Sequence, residues 1–190
     1  MKISPEIKAR MKPFWKKKNP VPFKDLRYLK IKHWGFDGND HEGEIVIHRE
    51  LATEVREIFE ELYERKFPIK SLRLIEDFEA DDEKSMAANN SSGFCSRYIT
   101  GSTSRFSLHS HGRAIDINPV QNPYINGDIL LPEQGELYRN RTLSQIGMIY
   151  EENPCHHAFL SRGWKWGGDW RTLSHANPNK FDYHHFSKPS

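Results

Sequence analysis

Residues 50–66 carry the longest helical pattern in the chain. Leu51, Val55, Ile58, Phe59 and Leu62 fall on one face, and Glu54, Arg56, Glu57, Glu60, Glu61 and Glu64 mostly on the other. Pro68 ends it. The other regular segments are shorter. Gly43–His48 and Leu72–Asp77 read as strands, and Phe181–Phe186 as a final one. Arg113–Asn118 alternates, with Ala114, Asp116 and Asn118 on one face and Ile115 and Ile117 on the other. Asn153 followed by Pro154 is a helix start, and Gly163 a helix stop, which gives a short helix near 154–162. Helices and strands do not alternate as a parallel sheet requires. The expected fold class is therefore α+β, a central antiparallel sheet with helices packed on it.

The remaining segments read as irregular. Residues 1–42 are broken by Pro5, Pro13, Pro20 and Pro22 and by turn residues Gly35, Gly38 and Asp40. Trp15, Phe23, Leu26, Leu29, Ile31, Trp34 and Phe36 make this stretch a strap that packs on the domain formed by 43–190. Residues 79–96 and 119–141 read as loops, and 164–170 as an aromatic turn. A length of 190 residues suits one domain with a substantial core.

Charge excludes little and suggests no special partner. Lys and Arg total 28 against 26 Asp and Glu, a net charge of +2, which makes no case for nucleic acid. Lys16–Lys18 reads as a solvated patch. No stretch approaches the roughly 18 apolar residues of a membrane span, and Ile3-Ser4-Pro5-Glu6 forms no apolar signal segment. Cys95 and Cys155 are compatible with one disulfide without requiring it, and neither belongs to a CxxC pair. A monomer is expected.

Histidine is the compositional anomaly. Of ten in the chain, His109, His111, His156, His157, His175, His184 and His185 crowd the C-terminal half. The run Ser107-Leu108-His109-Ser110-His111-Gly112-Arg113-Ala114-Ile115-Asp116 sets a loop histidine seven residues before a strand aspartate, with Gly112 allowing a sharp turn between them. A catalytic zinc takes three imidazole or carboxylate ligands and leaves a position open for water. His109 and Asp116 supply two, and Asp182-x-x-His185 is the best source of the third. Asp182 is then placed as a general base, taking a proton from the attacking water and passing it to the leaving amine. Arg97 is the candidate partner for the oxyanion.

These residues resemble the signature S-x-H-x-x-G-x-A-x-D of the D-Ala-D-Ala carboxypeptidase family of zinc peptidases, met here by Ser107, His109, Gly112, Ala114 and Asp116. That family includes the vancomycin-resistance D,D-peptidases and the L-alanyl-D-glutamate endopeptidases of phage lysins. The likeness extends to Asp81-Asp82, Ser85–Asn90, Phe94 and Arg97 before the signature, and to Asn118-Pro119 and Asn122-Pro123-Tyr124 after it. Gly163-Trp164-x-Trp166-Gly167-Gly168-x-Trp170 and Asp182-x-x-His185-Phe186 complete it, so it runs from about residue 33 to the end. The resemblance implies a hedgehog/D-Ala-D-Ala peptidase-like fold and zinc (Zn2+) held by His109, Asp116 and His185. It also implies Asp182 as base, where some relatives carry glutamate, peptidoglycan stem peptides as substrate, and a periplasmic, extracellular or cell-wall setting.

Other assignments compete. His109-x-His111 could chelate by itself, since alternate residues of an extended chain share a face. His184 neighbours His185 but points to the other strand face, toward solvent or substrate. Ser107, a local hydrogen-bonding residue, is grouped with Trp166 and His184 as the candidate substrate-side set, although Trp164, Trp166 and Trp170 divide evenly between core and cleft. Arg97 could equally be a salt-bridge partner, His156-His157 is structural, and Asp81-Asp82 a solvated loop. A Ser-His-Asp triad built on Ser107 or Ser110 would need Asp116 twice and lacks a nucleophile elbow. A non-catalytic zinc-containing binding domain is the alternative from another functional class.

Overall fold

The computed structural model describes residues 1–99, 102–170 and 179–189. His175, counted above among the clustered histidines, lies outside them. The described residues are mixed α and β with antiparallel pairing predominant, in agreement with the expected class.

The chain opens with helix α1 (Pro5–Met11), capped by Ser4, whose hydroxyl accepts from the Ile7 amide. Strand β1 (Leu26–Trp34) then pairs along its length with β2 (Asp40–His48), Leu26 facing His48 and Trp34 facing Asp40. The expectation of an irregular 1–42 fails here. Leu26, Leu29 and Ile31 are buried, and the prolines all precede the strand. The expected boundary at 42/43 falls inside β2, so the two segments share one hairpin. Residues ahead of β1 do pack as a strap: Trp15 and Phe23 stack at 3.9 Å, and Trp15 lies 5.2 Å from Phe94.

Helix α2 (Ala52–Glu64) follows its sequence pattern. Val55, Ile58, Phe59 and Leu62 are all buried, and they join Leu29, Ile31, Ile45 and Ile47 of the hairpin in the main core. The helix ends at Glu64, a turn ahead of Pro68. The strand expected over 72–77 is only β3 (Ser71–Leu72), because Ile75–Phe78 winds into a 3-10 turn. The loop expected over 79–96 contains α3 (Asp82–Ala87), whose N-cap Asp81 accepts from Lys84 N at 3.1 Å, and β4 (Asn90–Ser91), parallel to β3. Asp81 is thus a cap, and Asp82 an ion-pair partner of Arg97, rather than a solvated pair.

The second half is arranged around β9 (Lys180–Ser187). Its partners are β5 (Ala114–Asp116), β6 (Tyr124–Asn126) and β8 (Lys165–Gly167), all antiparallel, with β7 (Ile129–Leu131) beyond β6. Ser187 pairs with both Ala114 and Lys165, so β5 and β8 lie on opposite edges of β9. The 119–141 segment, expected as loop, therefore contributes β6 and β7 as well as a 3-10 turn over Glu133–Tyr138. Its strands are three residues each, too short to show an alternating pattern. Helix α4 (Pro154–Leu160) starts at Asn153 as expected, and Phe159 stacks on Phe186 at 4.0 Å, which ties α4 to β9. Cys95 and Cys155 are buried free thiols. Among the described residues no helix is long and apolar enough to cross a membrane.

Glu76 sits in the 3-10 turn near the Arg10–Glu44–Asp77 cluster. Burial pushes its carboxyl from 4.5 up to about 7. The folded protein therefore holds a proton that the unfolded chain releases between those values. The contribution of Glu76 to stability is intact below the unfolded value and is lost as pH rises through the folded one. Glu76→Gln, which cannot ionise, should match the parent in urea unfolding near pH 4.5 and exceed it by about 1–3 kcal/mol at pH 8. Equal stabilities at pH 8 would show that Glu76 is solvated when ionised.

Candidate metal centre

Three buried side chains from distant parts of the chain meet beside β9. His109 lies in the 3-10 turn Leu108–His111, Asp116 at the end of β5, and His185 in β9. His109 and Asp116 are respectively 1% and 2% exposed, too little for water to satisfy them.

The backbone aims each one. Asp116 and His185 are direct cross-strand partners, so their side chains share a face. Asp116 is held from its other side by Ser92, with reciprocal backbone bonds of 2.9 and 3.0 Å. The turn carrying His109 begins at Ser107, whose hydroxyl accepts from the His109 amide. It is pinned by Ser110, whose hydroxyl accepts from Arg97 N at 2.8 Å and lies within donating distance of the carbonyls of Arg97 and Cys95. It ends at Gly112, with φ +63, where an added Cβ would come 2.7 Å from the backbone nitrogen of His48. Both the left-handed backbone and the close approach require glycine there.

The donor atoms form a tight triangle. His109 Nε2 is 3.1 Å from Asp116 Oδ2 and 3.3 Å from His185 Nδ1, and His185 Nδ1 is 3.0 Å from Asp116 Oδ1. Metal–ligand bonds of about 2.0–2.1 Å in a tetrahedron put donors about 3.3 Å apart, so the spacing fits one ion. His109 Nδ1 lies 2.6 Å from the carbonyl of Gly93, which can only accept. Nδ1 therefore carries a proton and Nε2 is the atom turned toward the centre, the orientation a metal histidine needs. His109, Asp116 and His185 are the group of potential ligands that converges among the described residues. His111, the competing ligand from the sequence, is outside it.

Charge balance points the same way. Burial alone would raise the Asp116 carboxyl, but His109 and His184 overcome it and hold it well below the ordinary range. Burial alone would lower His109, and Asp116 reverses that. Protons bridge these groups when no cation does, and a bound divalent ion must displace them.

Asp182 and His184 occupy the next part of β9. Gly167 of β8 pairs with Asp182 while Trp166 pairs with Phe186, so Tyr183, His184 and His185 bulge between consecutive partners. The expectation that His184 faces solvent fails. His184 is buried, with Nδ1 2.8 Å from Asn122 O and Nε2 2.8 Å from Asp182 Oδ1. Both facing oxygens are acceptors, which favours a protonated ring, and the contact with Asp182 is an ion pair. Burial opposes charge on His184, but Asp182 and Asp116 carry its pKa up to about 9. Asp182 is lowered, since His184 and His185 outweigh its burial. The Asp182 Oδ1 contact with His184 lacks hydrogen-bond alignment, leaving that buried oxygen without a hydrogen bond among the described residues. Asp182 also closes on Gly167, where a Cβ would lie 2.3 Å from its carbonyl oxygen.

The remaining expected residues divide. Arg97 is close enough to feel both Asp116 and Asp182, and pairs with Asp82 at 3.1 Å. Its Nε is buried and unbonded among the described residues. Ser107 is a buried cap, its hydroxyl engaged by the His109 amide. Trp166 belongs to the core, its indole donating to Tyr183 O at 2.8 Å. Trp164 is core as well, while Trp170 is partly exposed with its ring 5.7 Å from that of His185. Sequence reasoning missed the Gly93 carbonyl and the Asn122 carbonyl. Both contribute backbone atoms, which leave no residue-type signature.

In this α+β chain the buried His–Asp–His triangle is a possible site for one divalent metal ion, with the Asp182 carboxylate beside it. Residues 100–188, which contain all three donors and Asp182, match the family model described as D-alanyl-D-alanine carboxypeptidase, so the family resembled by the motifs is the one found. No curated protein and no solved structure matches the chain.

His109→Ala and Asp116→Ala should each weaken zinc binding by at least about 100-fold, whereas His111→Ala should leave it unchanged. Competition with a chromogenic chelator reads all three. A loss with His111→Ala equal to that with His109→Ala would transfer the ligand role.

Proposed function

We propose that this chain is a zinc-dependent peptidase that hydrolyses peptide bonds of peptidoglycan stem peptides, at D-Ala-D-Ala or at L-Ala-D-Glu. The observation that carries the reading is the donor triangle of His109, Asp116 and His185 with the buried carboxylate of Asp182 beside it. The family match over residues 100–188 supports a peptidase and suggests peptidoglycan as its substrate. The finer likeness to hedgehog-type folds, the identity of the metal as zinc and a cell-wall setting are part of the same proposal.

The roles follow from position. His109, Asp116 and His185 would hold the zinc, which when bound lowers the pKa of a water to about 7 and polarises the scissile carbonyl. Asp182 would take the proton of the attacking water and deliver it to the leaving amine. The His184 ring lies 2.8 Å from the carboxylate and pairs with it. Arg97, held by Asp82, would face the charge that develops on the carbonyl oxygen. A purely structural zinc site closes its coordination and needs no base, which favours catalysis over the non-catalytic binding domain.

The test is digestion of purified peptidoglycan and of a stem pentapeptide, with products identified by mass. Release of D-alanine or cleavage after L-Ala is expected, lost on chelation and restored by zinc. Asp182→Asn should keep zinc affinity within a few-fold while kcat falls by about 100-fold or more. Zinc binding without turnover of any muropeptide would leave the non-catalytic domain as the better reading.

A further inference from the structure

Lys180 lies on the edge of the centre and has no part in the roles above. It is the first residue of β9, two before Asp182, so the two share a strand face about 6.7 Å apart along the strand. Its neighbours on that face are fixed by pairing: Tyr124 of β6 is opposite Asp182 and Asn126 opposite Lys180.

Two aromatic rings hold the ammonium. Lys180 Nζ is 5.1 Å from the Trp170 ring and 5.9 Å from the Tyr124 ring. Trp170 in turn sets its ring edge-on to that of His185 at 5.7 Å. A single layer of side chains therefore separates the cation from a metal ligand. Lys180 makes no ion pair among the described residues, in contrast to Arg97, whose guanidinium is committed to Asp82. Lys180 is partly exposed, so an incoming anion can reach it. Rings on its flanks restrict a flexible side chain and exclude part of its water, which strengthens a charge-assisted bond to a ligand.

The two bonds in the proposed function share one chemical feature on the leaving side. In D-Ala-D-Ala the departing residue bears a free α-carboxylate. In L-Ala-D-Glu the glutamate continues the stem through its γ-carboxyl, so its α-carboxyl is also free unless amidated. We infer that Lys180 is the specificity-determining cation that binds the free α-carboxylate of the residue leaving with the new amine, held in place by Trp170 and Tyr124. The inference rests on the peptidase reading for its substrate class. It restricts that class to peptides with an anionic group next to the scissile bond.

Binding separates this inference from catalysis. Zinc-loaded protein, with Asp182→Asn in the background to prevent turnover, is titrated with N-acetyl-D-alanyl-D-alanine and with its C-terminal carboxamide, followed by calorimetry. The acid should bind at least about tenfold more tightly than the amide. Lys180→Met should abolish that difference and Lys180→Arg should retain most of it, with zinc affinity unchanged in both. Equal affinity for acid and amide, a preference that survives Lys180→Met, or no binding of either compound at millimolar concentration would each overturn the assignment. Failure of the Asp182-intact protein to cleave any muropeptide, with the acid preference preserved, would instead overturn the peptidase reading and leave the carboxylate site standing.

Discussion

The carboxylate of Asp116 is the constraint on which the molecule's second half depends. A charge this deeply buried costs several kcal/mol unless it is paired, and each of its oxygens faces an imidazole nitrogen within 3.1 Å. Meeting that demand sets where β5 and β9 pair, since Asp116 must stand opposite His185. It also sets how the turn after Ser107 is wound, since His109 must arrive from a different direction. The Ser92 bridge, the Ser110 clamp and the Gly112 turn all serve that geometry. Removing a single imidazole would leave one oxygen of the buried carboxylate without that partner, which is why the centre and the local fold are coupled.

The two halves of the chain divide the labour. The β1–β2 hairpin and α2 form a core of apolar side chains that contains no member of the centre. Ile115 and Ile117 reach into that same core from the strand whose other face carries Asp116. Alternation along three residues of β5 thus joins an apolar interior to a polar one, with no linker between them. Gly93 and Ser92 close the arrangement from the first half by lending backbone groups to His109 and Asp116.

Much of this was legible in the sequence, and the parts that were not share a cause. The α2 stripe, the start of α4 at Asn153 and the alternation around Asp116 are local patterns, and all appear where their residues place them. The convergence of His109, Asp116 and His185 was legible because the motif around them is dense. Strand β1 was hidden by nearby prolines and an imperfect alternation, and α3 by small polar residues that look like loop until Asp81 caps them. The placement of His184 was unreadable for another reason. Alternation says which face a residue takes, and only the packing of β9 against Asn122 shows that face to be buried at His184. Backbone donors and acceptors such as Gly93 and Asn122 carry no side-chain signal at all.

The position of β9 in the chain has a consequence for how the molecule is made. It follows β5, β6 and β8 in sequence and hydrogen-bonds to all three. While the ribosome still covers it, those short strands have bare edges and Asp116 has lost one of its two imidazoles. A nascent chain halted at that stage would be both prone to stick to others and unable to close its centre. The centre is completed only when β9 pairs with β5, so a chain that stops before β9 lacks both His185 and Asp182.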